Sequence, residues 1–202
     1  MQRPIIPALV CLAALTCTAR PVTAQDVTYA YTKIDLNTCR HTKGTDIEDY
    51  GSWLCRGHAG IPVYIAGGDQ RAFVSYGRNA KNEVAASETL SAFNDHGDMI
   101  EWRIENLPDG KTRPFATILR FGTTVQAPDP NPDGRTVDGQ VLVITRLNPG
   151  GVCHVGYVDG RANPEANMLA RQVADERARA FRCGKDSPGV YGKTGPGFAG
   201  SP

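Results

Sequence analysis

Apolar and polar residues alternate along much of this chain with the two-residue period of half-buried strands. Val27, Tyr29, Tyr31 and Ile34 take loosely alternating positions and predict a first strand over 27–36, and Ser52-Trp53-Leu54-Cys55 predicts a short one after a polar, turn-rich stretch. Two hairpins carry clearer signals. Ile61–Ala66 and Arg71–Tyr76 flank Gly67-Gly68-Asp69, whose glycines suit positive φ. Met99–Leu107 and Arg113–Phe121 flank Pro108-Asp109-Gly110, where Pro presets φ and Gly supplies the left-handed position. In the strand after Met99, Ile100, Trp102 and Ile104 share one face, and Glu101, Arg103 and Glu105 share the other. That pattern predicts a buried face and a solvated one.

Residues Asn79–Leu90 predict a short helix, and 122–139, rich in Pro, Asp and Gly, a long loop. Gln140–Leu147 is apolar except for Arg146 and predicts a central strand, which Asn148-Pro149-Gly150-Gly151 turns back into an antiparallel partner, Val152–Val158. A helix comes next. Asn163 suits its N-cap, Pro164 its first position, Glu165 the positive end of its dipole and Gly184 its carboxyl cap. Ala166, Leu169, Ala170, Val173, Ala180 and Phe181 form its apolar stripe, with Arg177 inside that stripe and expected to reach the edge. The expected fold is α+β: an antiparallel, mostly meandering sheet of about six or seven strands, packed on one face by the C-terminal helix.

Outside this domain the composition changes at both ends. Residues 1–24 carry one early basic side chain (Arg3), an apolar run from Ile5 to about Thr16, and a polar close with Val22 and Ala24 at positions −3 and −1. That reads as a cleavable signal peptide, too short and too polar at its end to span a membrane. Lipidation at Cys17 is disfavoured by Thr16 and Ala14, which depart from the lipoprotein pattern. Residues 25–184 form a single domain, and 185–202, dominated by Gly, Pro and polar residues, are expected to be a disordered tail. Without the leader the charge changes from +1 to about −1, because Arg3 and Arg20 leave and no acid does. A near-neutral chain of interspersed signs makes no electrostatic case for nucleic acid, and none for membrane insertion after the leader is removed.

Cys39, Cys55, Cys153 and Cys183 remain after the leader, an even number suited to an oxidising compartment, periplasmic or extracellular. Four cysteines allow three pairings. Local geometry favours Cys39–Cys55 and Cys153–Cys183, the second because a helix packing back along its preceding strand brings its end near that strand's start. Cys153, Val155 and Tyr157 would then face the helix and His154 the opposite surface.

Candidate chemistry is sparse. Asp129-Pro130-Asn131-Pro132-Asp133-Gly134 resembles the opening of a calcium loop, making Asp129, Asn131, Asp133 and Gln140 the candidate calcium ligands. Against it stand Pro130 and Pro132, the lack of flanking helices and a neutral Gln where the pattern wants Glu. His41 and His58 flank the first cysteine pair and are candidate copper or zinc ligands; His96 and His154 read as isolated. Ser75 lacks a nucleophile elbow, Ser52 has no motif, and Gly192-Lys193-Thr194 lacks the rest of a phosphate loop. Asp98 and Glu101 read as solvated carboxylates. Trp53, Tyr64, Phe73, Tyr76, Trp102, Phe115 and Phe121 read as core, unless some lie exposed together. The expectation is an exported cell-envelope protein that binds a protein or small molecule without catalysis, through the sheet's open face or the 122–139 loop. The alternatives are an envelope hydrolase with dispersed residues and a calcium or copper binder.

Overall fold

The computed structural model describes residues 27–45, 47, 49–127 and 134–198. The segment expected as a signal peptide, the last four residues and the candidate ligands Asp129, Asn131 and Asp133 lie outside these. In chain order the elements are β1 (Val27–Lys33), β2 (Arg40–Thr42), β3 (Asp49–Arg56), β4 (Pro62–Gly68), β5 (Arg71–Tyr76), β6 (Phe93–Asn106), β7 (Thr112–Gln126), β8 (Thr136–Arg146), β9 (Cys153–Asp159), α1 (Ala166–Arg177) and β10 (Gly189–Tyr191).

Among the described residues the strands form two sheets. Six pair in the order β1-β6-β7-β8-β9-β10, and four in the order β2-β3-β4-β5. The larger sheet is antiparallel from β1 to β9, with β10 parallel to β9, so it is mixed. The smaller sheet covers the face expected to be open. Between the sheets lies a core of Val63, Ile65, Val74, Tyr76, Ile100, Trp102, Leu119, Phe121, Val143 and Tyr157. On the other face α1 packs Ala166, Ala170, Val173 and Ala174 against Phe115, Ile118, Leu142, Ile144, Val155 and Val158. The molecule is three layers deep, sheet on sheet on helix.

The β4–β5 turn takes positive φ at Asp69 (47°) and Gln70 (54°), while β4 retains both glycines. Two consecutive left-handed residues give the hand that joins twisted antiparallel strands. The stretch from Asn79 to Leu90 forms two 3-10 turns, Ala80–Asn82 and Val84–Ser87, in place of the expected helix. Tertiary hydrogen bonds decide this. The extended Glu83 accepts from Val152 N (3.0 Å) and Asn148 Nδ2 (3.1 Å), Ala85 N donates to Val152 O (3.0 Å), and Glu88 accepts from His154 N (2.6 Å). The segment thereby closes the part of the β9 edge that β10 does not reach.

Opposite Ile144 and Thr145, β9 places Gly156 and His154, leaving Val155 as an extra residue. A bulge reverses the facing of the residues beyond it. Val155 and Val158 therefore meet α1, whereas Tyr157, expected on that side, enters the core between the sheets.

The charged face of β6 is the largest departure from the sequence pattern. Glu101, Arg103 and Glu105 are only 8%, 6% and 1% exposed, covered by α1. Alternate strand residues lie about 6.6 Å apart and helix residues four apart rise about 6 Å, so the two spacings match. The signs match as well. Glu101, Arg103 and Glu105 meet Arg171, Asp175 and Arg179 in that order, at 2.7 Å each. Arg103 engages Asp175 with two nitrogens, and Arg113 adds a second cation to Glu105 at 2.7 Å. Burial that would be prohibitive for lone charges is tolerated because each is paired and hydrogen-bonded.

Residues 185–198 are also ordered. Tyr191 lies over Gly156, where a Cβ would come within 2.4 Å of the ring, and Arg177 at the sheet edge sits 5.7 Å from the same ring. The buried Asp159 accepts from Arg161 N, Ala162 N and Gly195 N at 2.7–2.9 Å, and Asn163, expected as an N-cap, instead ties down Lys193 N. Backbone donors captured by side-chain acceptors order this segment despite its low apolar content.

Candidate functional site

Two cysteine pairs stand at disulfide distance, Cys39–Cys55 with Cα atoms 4.5 Å apart and Cys153–Cys183 with Cα atoms 5.7 Å apart. Crosslinks of this kind belong to chains folded in an oxidising compartment. No helix among the described residues is long and apolar enough to cross a membrane.

The histidines go to separate places. His41 stacks on Trp53 (4.6 Å, 19°), and His58 lies against Trp102 (6.1 Å) beyond the other end of β3. Gln140 gives its side-chain oxygen to Arg120 (2.8 Å). Among the described residues no group of three or more His, Cys, Asp or Glu is placed to hold a metal ion. Ser75 is fully buried, and its hydroxyl has no partner. Asp98 faces Lys33 at 3.7 Å, while Glu101 belongs to the buried ladder between β6 and α1.

His154 is 1% exposed, with Nδ1 3.0 Å from Tyr157 Oη. Burial pulls its pKa down to about 3, so the ring is neutral at ordinary pH. Burial, and secondarily the charge of Glu88, pushes the Tyr157 phenol up. Burial also raises the Glu88 carboxyl, against the opposing hydrogen bond from His154 N. These groups hold one another inside the fold, away from the cleft between the sheets.

That cleft, of about 290 Å³, opens where the start of β6 docks on the β4–β5 hairpin. Asn94 makes that junction: its Oδ1 accepts from Ala72 N (3.1 Å) and its amide donates to Ala92 O (2.8 Å). Leu36, Ile65 and Ala72 form the apolar base, and Tyr50 and Trp53 the aromatic walls. Tyr50 is 50% exposed, while the Trp53 ring is held from its other side by His41. Gln70, Arg71, Asp95 and His96 supply the polar rim. Arg71 is fixed by Ser91 O (3.1 Å) and by Asp69. His96 Nδ1 lies 2.9 Å from Gly97 O, and a carbonyl only accepts, so Nδ1 carries the proton. In the neutral ring Nε2 is then an acceptor without a partner among the described residues. Asp95 uses one oxygen for His96 N (2.8 Å) and keeps the other.

The arrangement offers stacking surface, an apolar base, one fixed cation and at least two uncommitted acceptors. Sequence reading missed it because Tyr50 and Trp53 of β3, Arg71 of β5 and His96 of β6 come from three separate stretches of chain with no shared motif. The one usable signal was a set of aromatics in short, irregular strands. Comparison with protein-family models, with curated proteins and with solved structures returned no match.

Proposed function

We propose that this chain is a non-catalytic ligand-binding protein of the cell envelope, periplasmic or extracellular, which takes a small ring-bearing polar ligand in the cleft between its sheets. The observation that carries this reading is the pairing of two aromatic walls with uncommitted polar atoms at one rim. Concave, mainly apolar sites with a few placed polar groups are the usual form of small-ligand sites. The two disulfides and the hydrophobic leader support the compartment.

Tryptophan emission tests the proposal. The chain has two tryptophans, and Trp102 is fully buried, so a ligand-dependent change reports on Trp53. Neutral sugars, nucleosides and aromatic amino-acid derivatives are titrated in turn. The expected result is a saturable change with one class, removed by Tyr50→Ala and by His96→Ala. A change that survives both substitutions, or conversion of the ligand to product, overturns the reading.

A further inference from the structure

The outward face of the smaller sheet carries a second concavity with a different chemistry. Antiparallel register aligns Arg40, Leu54, Tyr64 and Ser75 across β2, β3, β4 and β5, and Thr42, Ser52 and Ala66 one row away. The segment from Gly77 to Asn82 rises over the Ser75 end and closes a groove of about 340 Å³. Leu54, Pro62 and Tyr64 form its floor, and Arg40 stands at one end with Arg78 and Lys81 at the other. Arg56 lies on the same face, directly opposite Pro62 in the register.

No Asp or Glu lines this groove. Arg40, Arg56, Arg78 and Lys81 are all exposed, and none has an ion-pair partner among the described residues. Elsewhere Arg71, Arg103, Arg113, Arg171, Arg179 and Arg182 each face a carboxylate, and Arg120, Arg146 and Arg161 are held by neutral oxygens. The total charge is near zero, so four exposed cations around a lining without an acid concentrate positive charge on this face.

We infer that this groove binds an acidic saccharide, specifically an oligosaccharide bearing uronate groups. Cations at both ends require anionic groups at two positions on the ligand. Between them Thr42, Ser52, Asn79 and Asn82 present hydroxyls and amides, which match sugar hydroxyls as donors and acceptors. The Tyr64 ring and the Leu54 and Pro62 side chains offer the flat apolar surface on which the C–H face of a pyranose packs. A charged bilayer is disfavoured because the cations rim a depression and do not protrude from a convex surface. The groove and the inter-sheet cleft share only Trp53 at their border, so each can fail without the other.

The test is calorimetric titration of the disulfide-intact protein with trigalacturonate, with maltotriose, short poly-glutamate and inorganic phosphate as comparisons. Trigalacturonate is expected to bind at one site, more weakly as salt rises, and maltotriose not to bind. Arg40→Gln with Lys81→Gln weakens binding by at least about tenfold, equivalent to about 1.4 kcal/mol, and Tyr64→Ala weakens it at unchanged salt dependence. Lys111→Gln, on a distant exposed turn, and Tyr50→Ala, in the other cleft, leave it intact. Both glutamine changes replace exposed side chains, and an unchanged melting curve shows that the fold is kept. No trigalacturonate binding, binding unaffected by the double substitution, or equal binding of poly-glutamate, phosphate or maltotriose overturns the assignment. So does sedimentation with phosphatidylglycerol vesicles in its place.

Discussion

Lowering the pH from about 7 to about 5 should destabilise this protein through one side chain, His154. Its imidazole has an ordinary pKa of 6.5 in the unfolded chain and about 3 in the fold, where burial penalises the charged form. Between those values the unfolded chain holds a proton that the folded chain does not, so acid favours unfolding. Stability from this group is complete above about pH 6.5 and is lost as pH falls toward about 3. Each unit inside that window costs about 1.4 kcal/mol, and the difference between pH 7 and pH 5 is about 2 kcal/mol. Tyr157 faces the ring and Glu88 accepts from the His154 backbone N–H, and the raised Glu88 carboxyl titrates with the opposite sign. The experiment therefore compares urea unfolding of the protein and of His154→Gln at both pH values, since Glu88 is common to the two. Wild type should lose about 2 kcal/mol more than the variant. Parallel losses would show that His154 takes up its proton inside the fold, and the reasoning would fail.

Glu105→Gln leaves Arg113 and Arg179 without their carboxylate beneath α1 and should cost about 3 kcal/mol in urea unfolding, the low end for a broken buried pair because Arg113 is partly solvated. Asp109→Asn, which breaks an exposed pair with Lys111, should leave the midpoint unmoved. Asp159→Asn should raise amide exchange at Gly195 and Phe198 and cost about 1.5–3 kcal/mol, the value of hydrogen bonds to a charged acceptor; unchanged exchange would mean that Tyr191 alone anchors this segment. Replacing Cys153 and Cys183 together by Ser removes a crosslink spanning 30 residues and should cost about 3–4 kcal/mol, read as a shifted unfolding midpoint.

Local chemistry was legible in the sequence. The turn at Gly110, the strand pair around Asn148–Gly151 and the small-residue face of α1 each depend on residues close in the chain. The Cys153–Cys183 pairing came from the way a helix returns along its preceding strand. Features that required distant partners were not legible. A two-residue period marks a strand but does not say which sheet it joins or whether its polar face meets water. Glu101, Arg103 and Glu105 looked solvated until the Arg171, Asp175, Arg179 series is set against them with matching pitch and opposite signs. That complementarity was present in the sequence, and only the pairing of helix with strand was missing. The single extra residue at Val155, which redirects Tyr157, has no composition signature. Residues 185–198 have a disordered composition yet are ordered by acceptors on Asp159 and Asn163 and by the Thr123 hydroxyl, which donates to Gly197 O. The candidate cleft escaped notice for the same reason: its walls converge only once two sheets are stacked.

The claim that the inter-sheet cleft is the ligand site is tested most directly by hydrogen–deuterium exchange of the protein, free and saturated with a compound that alters Trp53 emission. The account predicts slowed exchange confined to the residues around 36 and to 50–53, 65–72 and 94–96, the stretches that line the cleft. Protection centred on α1 or on β9, or none at a saturating concentration, would contradict it.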